Sequence, residues 1–252
     1  MRNLQKAILV TSLLAATSAM AADKSPFSTN VALTTNYVWR GVSQTAENMA
    51  IQGGIDYVHV GGAKGHEGPS GFYLGAWGSN VNFGNDAVTS ANGDGASMEL
   101  DLYGGYKFKA GPLDLDVGFI NYRYPGAASS LKYDFTEIYV GAGYGPFTAK
   151  FYNASNYQGN LTTQSGTYLD LGAEFDLKVA KLTLHVGKSG GEGVQTAFGK
   201  KYTDYKVGLS KEFGGFTFGV AYTDTNMSGA QQIKKGVSAN DGMVVLTVSK
   251  SL

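Results

Sequence analysis

The chain has 252 residues, 20 Lys+Arg against 20 Asp+Glu, 36 glycines and no cysteine. Charged residues make up 16% and aromatics 12%, where about 25% charged is ordinary. This composition excludes a charge-rich disordered chain, a basic nucleic-acid footprint, a disulfide framework and a cysteine nucleophile or thiolate–metal site.

Residues 1–21 read as an export signal. Arg2 and Lys6 form a charged start, an apolar stretch follows, and Ala19-Met20-Ala21 supplies the small-x-small cleavage pattern, with cleavage expected after Ala21. The apolar stretch is too short and too interrupted by Thr and Ser for a membrane-spanning helix. Loss of Arg2 and Lys6 leaves residues 22–252 as a slightly acidic mature chain, expected to form one domain.

Beyond the signal no apolar run approaches a spanning helix, and the recurring period is two. In chain order, Val31, Leu33, Thr35, Tyr37 and Trp39 alternate with polar neighbours over 30–40, and Ile51, Gly53, Ile55 and Tyr57 do so over 51–57. Residues 72–81 are strand-like with ambiguous faces. Over 98–108, Met98, Leu100, Leu102, Tyr106 and Phe108 oppose Glu99, Asp101, Tyr103 and Lys107. Further alternating segments fall at 113–119, 137–144, 147–152, 167–177, 182–187, 204–210, 216–223 and 244–248. A helix would scatter these sets around its circumference, whereas a strand separates them onto two faces. The expected fold is therefore all-β, an antiparallel up-and-down transmembrane β-barrel of about 12 strands.

The connections alternate as well. Short turns at 109–112, 145–146, 178–180 and 214–215 are separated by long polar stretches at 82–96, 125–132, 153–166, 189–201 and 224–241. Short periplasmic turns and long extracellular loops describe an outer-membrane barrel. The join at 60–70 departs from this rule, being long on the short-turn side and carrying Lys64, His66 and Glu67. Aromatics near strand ends, among them Trp39, Tyr106, Phe108, Tyr122, Tyr124, Tyr144, Phe147, Tyr168, Phe175, Phe213, Phe216 and Tyr222, are expected at the two lipid–water boundaries. A soluble β domain would use the same rings as ordinary core.

With the apolar face in lipid, the candidate lumen-lining residues are Arg40, Gln52, Asp56, Glu99, Asp101, Lys107, Glu137, Lys150, Asp170, Glu174, His185, Asp204 and Lys206, with Asp114, Asp116 and Asp176 of the same parity. Acids outnumber bases in this set, so a weak preference for cations is expected. An enzyme is not expected: His185 is the one histidine on a predicted strand, and neither it nor His59 or His66 stands in a recognisable nucleophile motif. No catalytic residue, cofactor or metal site is assigned. Asn92-Gly93-Asp94-Gly95 with Asp86 lacks the ligand spacing of a calcium loop and reads as a turn. The acceptor-like triplets at Asn153, Asn160 and Asn226 read as polar loop, and Gly141-x-Gly143-x-Gly145 lies in a strand and so is no nucleotide loop.

The stretches NVALTTNYVWRGVSQT (30–45), AIQGGIDY (50–57), GFYLGAWGSNV (71–81), MELDLYGGYKF (98–108), DVGFINYRYPG (116–126) and VVLTVSKSL (244–252) resemble the TorF-type putative porin family of Gram-negative bacteria. That resemblance implies an outer-membrane β-barrel with a pore function and brings no site residues. The expectation is a porin-like channel for passive diffusion of small hydrophilic solutes in the cell outer membrane, in contact with lipid and lipopolysaccharide but not nucleic acid. The alternative is a non-conducting barrel serving structure or surface contact. Oligomeric state is not legible.

Overall fold

The computed structural model describes residues 25–59, 71–83, 95–128, 132–228, 232–234, 237–238 and 240–252. The signal, the join at 60–70 and the turn around Asn92 lie outside these residues. Twelve antiparallel strands close into a single barrel: β1 (Phe27–Thr34), β4 (Ala50–Val58), β5 (Gly71–Asn80), β6 (Met98–Ala110), β7 (Leu113–Arg123), β8 (Phe135–Tyr144), β9 (Phe147–Ala154), β10 (Gly166–Asp176), β11 (Lys181–Gly190), β12 (Tyr202–Phe213), β13 (Phe216–Thr225) and β16 (Met243–Ser251). Neighbours in sequence are neighbours in the sheet, and β1 pairs with both β4 and β16, Leu33 lying between Ile51 and Val248. Two small hairpins stand apart, β2 (Val38–Trp39) with β3 (Val42–Ser43), and β14 (Gln232–Lys234) with β15 (Val237–Ser238). One short helix, α1 (Glu192–Phe198), lies in the β11–β12 connection.

The period of two decides which side of the wall each residue occupies. Ile51, Phe72, Ile138 and Val244 are 62–66% exposed on the outer surface, while Gln52, Glu99, Glu137 and Asp170 on the opposite parity are buried. An apolar residue turned outward on nearly every strand is unfavourable in water and favourable in hydrocarbon. Charged side chains on the outward parity, such as Lys211 and Lys250, lie near strand ends.

Register also resolves the ambiguous strand. Phe72 and Leu74 of β5 face outward, whereas Trp77 and Ser79 are buried inside. The first strand is shorter than the alternation predicts. It ends at Thr34, and residues 35–49 turn into the barrel instead of continuing along its wall. Arg40 and Gly41 both adopt positive φ, 49° and 77°, which turns the chain between β2 and β3. Asn36 then ties the returning strand down, its Oδ1 accepting from the hydroxyls of Ser43 and Thr45 at 2.7 and 3.1 Å. A period-two pattern cannot distinguish these residues from wall, because an inserted hairpin alternates in the same way.

If the outer face meets lipid, Leu246→Arg near the middle of β16 should destabilise the refolded protein by about 2–4 kcal/mol. Urea unfolding in phospholipid vesicles measures this; a change near zero would contradict the lipid-facing assignment.

Candidate functional site within the barrel

The inserted hairpin is held by one side chain above all. Arg40 Nη1 and Nη2 donate to Glu137 Oε1 and Oε2 at 2.8 and 2.6 Å, a fork-to-fork pair buried on both sides. The guanidinium lies 4.3 Å from the Trp39 ring centroid and 4.0 Å from that of Tyr168, with Tyr152 at 5.3 Å. Burial works against the Arg40 charge, but Glu137 outweighs it and keeps the group protonated. The Tyr122 hydroxyl donates to Glu137 as well. On the other flank Tyr37 donates its hydroxyl to Glu99 at 2.9 Å and meets Trp77 edge-on. Burial, aided by Glu99, pushes the Tyr37 phenol up, so it remains a donor. Above the hairpin, Tyr157 from the β9–β10 connection stacks on Trp39, and Val194 of α1 is fully buried. The long-loop half of the barrel is therefore packed.

Charged side chains on the wall form a second layer. His185 on β11 has Nδ1 3.1 Å from Asp170 on β10 and Nε2 2.7 Å from Asp204 on β12. Adjacent strands place these three residues side by side, and in its doubly protonated form the ring donates to both carboxylates. Tyr168 donates to Asp204 at 3.1 Å, so the ring that stacks on Arg40 also joins this network. Next to Asp170 along the wall, Lys150 of β9 pairs with Asp116 at 2.8 Å and lies over Tyr139, and further round Lys107 lies over Tyr73. Tyr103 donates to Asp56 at 2.5 Å. Asp101, buried beside Glu99, finds no hydrogen-bond donor among the described residues.

Glycine supplies the space for this arrangement. Tyr73 faces Gly105, Tyr103 faces Gly75 and Tyr139 faces Gly118 on the paired strand. A Cβ at Gly75 or Gly105 would collide with the opposing tyrosine ring. The β4–β9 wall is thus filled by tyrosines laid across glycines. The β1, β12, β13 and β16 wall carries small residues instead, including Ala32, Gly208, Gly219 and Ala221. Beside it remains a cavity of ≈ 670 Å³, lined from the β10–β11 turn and the end of β16 up to Arg40 and Tyr37.

Of the thirteen predicted lining residues, Arg40, Gln52, Asp170, Glu174, His185, Asp204 and Lys206 border that cavity. Glu99, Asp101, Glu137 and Lys150 are buried in packed contacts away from it, and Asp56 and Lys107 are half-buried beside tyrosines. Arg40 faces the interior, but from the hairpin rather than from a wall strand. Trp39, Tyr122 and Tyr168 are buried inside the barrel, and Tyr124 packs against that interior cluster, so these four do not form a boundary girdle. Tyr144, Phe147, Phe213, Phe216 and Tyr222 do lie exposed on the outside. The interior tyrosines were legible from parity, since Tyr168 shares a face with Asp170. Their proximity to strand ends is what suggested the boundary.

A closed, even-stranded antiparallel barrel with an apolar outer surface and buried charge inside is a transmembrane β-barrel. Within that class, the chain belongs to the Gcw_chp family, described as bacterial protein of unknown function, whose family model matches residues 18–252. No curated protein matches it. Among solved structures, one from work on in-meso crystallization of membrane proteins has a TM-score of 0.50 and 8% identity, covering 89% of this chain and 83% of that chain. The Salmonella typhi outer membrane phospholipase dimer with bound calcium gives a TM-score of 0.46 and 10% identity, covering 88% and 89%. An outer membrane channel from Pseudomonas putida F1 gives a TM-score of 0.45 and 11% identity, covering 93% and 99%. At such identities the likeness concerns the fold alone.

Arg40→Ala leaves Glu137 buried without its partner and should lower stability by about 3–5 kcal/mol. Arg40→Met with Glu137→Gln removes both charges and should recover much of that loss. Urea titration of the refolded proteins compares them; equal losses in both variants would show that packing of the hairpin, not the ion pair, dominates.

Proposed function

We propose that this protein is a porin-like channel of the outer membrane for passive diffusion of small hydrophilic solutes, constricted by its own inserted hairpin. The observation that carries this reading is the cavity of ≈ 670 Å³ running beside the small-residue wall as far as Arg40, lined by apolar surface with hydroxyl, amide and charged side chains set into it. An interior kept open on one side by glycine and alanine is unnecessary for a barrel that only spans the membrane. The TorF-type resemblance of the sequence points the same way. The route runs along the β1, β16, β13 and β12 wall, and the inserted hairpin stands across its deep end. Acids outnumber bases among the inward-parity residues of the wall, which supports a weak preference for cations, and of these acids Asp170 and Asp204 border the cavity opposite Arg40, His185 and Lys206. Export by a cleaved signal and placement in lipid and lipopolysaccharide are parts of the same proposal.

A non-conducting barrel is the second reading, favoured by the packing of Trp39, Tyr122, Tyr157 and Phe135 across the long-loop half. Planar-bilayer recordings separate the two. Discrete conductance steps are expected from refolded protein, several-fold larger steps from Arg40→Ala, and a reversal potential of cationic sign in a KCl gradient. No current from either protein would sink the channel, and a reversal of anionic sign would remove the cation preference.

A further inference from the structure

The cavity has a chemistry of its own. Its deep end is closed by the hairpin at Tyr37, Arg40 and Gly41, and its mouth lies between the β10–β11 turn and Ser251. It is a cup entered from the short-turn side. Its volume of ≈ 670 Å³ falls inside the usual ligand-site range of about 300–1,000 Å³.

The two walls of the cup differ. Along β1, β13 and β16 the inward-parity polar groups are neutral, Asn30, Thr217, Thr223, Thr247 and Ser249, while Lys250, of the outward parity, borders the mouth with its ammonium over the Phe216 ring. A hydroxyl or amide both donates and accepts, so this wall matches a ligand whose own groups do both at short intervals. The β10–β12 wall is charged, but its charges at depth are already engaged, Lys206 interacting with Asp170 and Asp204. His185 bridges Asp170 and Asp204, and Arg40 is committed to Glu137. At that depth a charged ligand would have to break one of these buried pairs and leave its partner uncompensated, whereas Asp176, Lys178, Lys211 and Glu212 border the cup only towards its mouth. A neutral ligand leaves them intact. Gly219 faces the cup with free space, since a Cβ there would meet nothing closer than 3.9 Å.

We infer that this cup is a binding site for a neutral polyhydroxylated solute, of the sugar or sugar-alcohol class, seated on the hydroxyl-lined β13–β16 wall beneath the hairpin. The inference rests on the channel reading in taking its ligand from among the solutes that pass. Such a site holds solute at the constriction and discriminates by hydrogen bonding rather than charge.

Isothermal titration calorimetry of the refolded full chain in detergent tests it with maltose and sorbitol, against gluconate and glucosamine as charged counterparts. Saturable binding of at least one neutral probe is expected, with both charged probes at least tenfold weaker. Gly219→Leu fills the cup and should weaken neutral binding at least tenfold while the heat-modifiable electrophoretic shift of the folded barrel is retained; Ala221→Leu serves if Gly219→Leu does not fold. Absence of saturable neutral binding, equal binding of charged probes, or unchanged affinity in a folded Leu variant overturns the assignment. Conductance without sugar binding removes the cup and keeps the channel. Sugar binding without conductance removes the channel and keeps the cup.

Discussion

In hydrocarbon a backbone amide or carbonyl left unpaired costs several kcal/mol, so a sheet that crosses a bilayer must close on itself, and the rest of this structure follows from that closure. Pairing of β1 with both β4 and β16 leaves no edge. Closure by twelve strands also sets a circumference wider than the eight-stranded barrels whose wall side chains fill the interior unaided. The surplus interior is what the inserted hairpin, the tyrosine–glycine pairs and the cavity divide between them.

The hairpin solves one problem by creating another. Its aromatic residues fill the long-loop half, yet Arg40 brings a charge into a site where its own side chain is almost wholly buried. Bidentate pairing with Glu137 and the rings of Trp39 and Tyr168 take over most of the solvation that burial removes. Tyr168 also donates to Asp204, and Asp204 accepts from the bridging His185. The lock on the hairpin and the charged wall of the cup are therefore one continuous network, in which a change at His185 reaches Arg40 through a single ring. This connection gives the proposed constriction and the proposed solute site a physical link.

Much of the site was readable in the sequence, and the failures have specific causes. Alternation located all twelve wall strands and separated Glu99, Glu137, Asp170, His185 and Asp204 from the lipid-facing residues. It carried the first strand too far because 35–40 alternates like wall, and only the positive φ of Arg40 with Gly41 and the bonds of Asn36 turn it inward. Whether a strand glycine accepts a tyrosine ring or borders a void depends on which residues lie opposite across the sheet, as with Gly75 and Tyr103.

The sequence by itself determined the class of protein, since a period of two with apolar residues on one face and alternating short and long connections admits few solutions once backbone pairing in lipid is required. It determined, too, which residues turn inward. Only the tertiary structure decided that the inward space is unequally filled, that Arg40 reaches Glu137 across 97 positions of chain, and that His185 meets Asp170 and Asp204, and Lys150 meets Asp116, on the inner wall. Parity is a property of one strand and can be read along it; partnership across the barrel depends on register and on a connection folding inward, and neither leaves a local pattern in the chain.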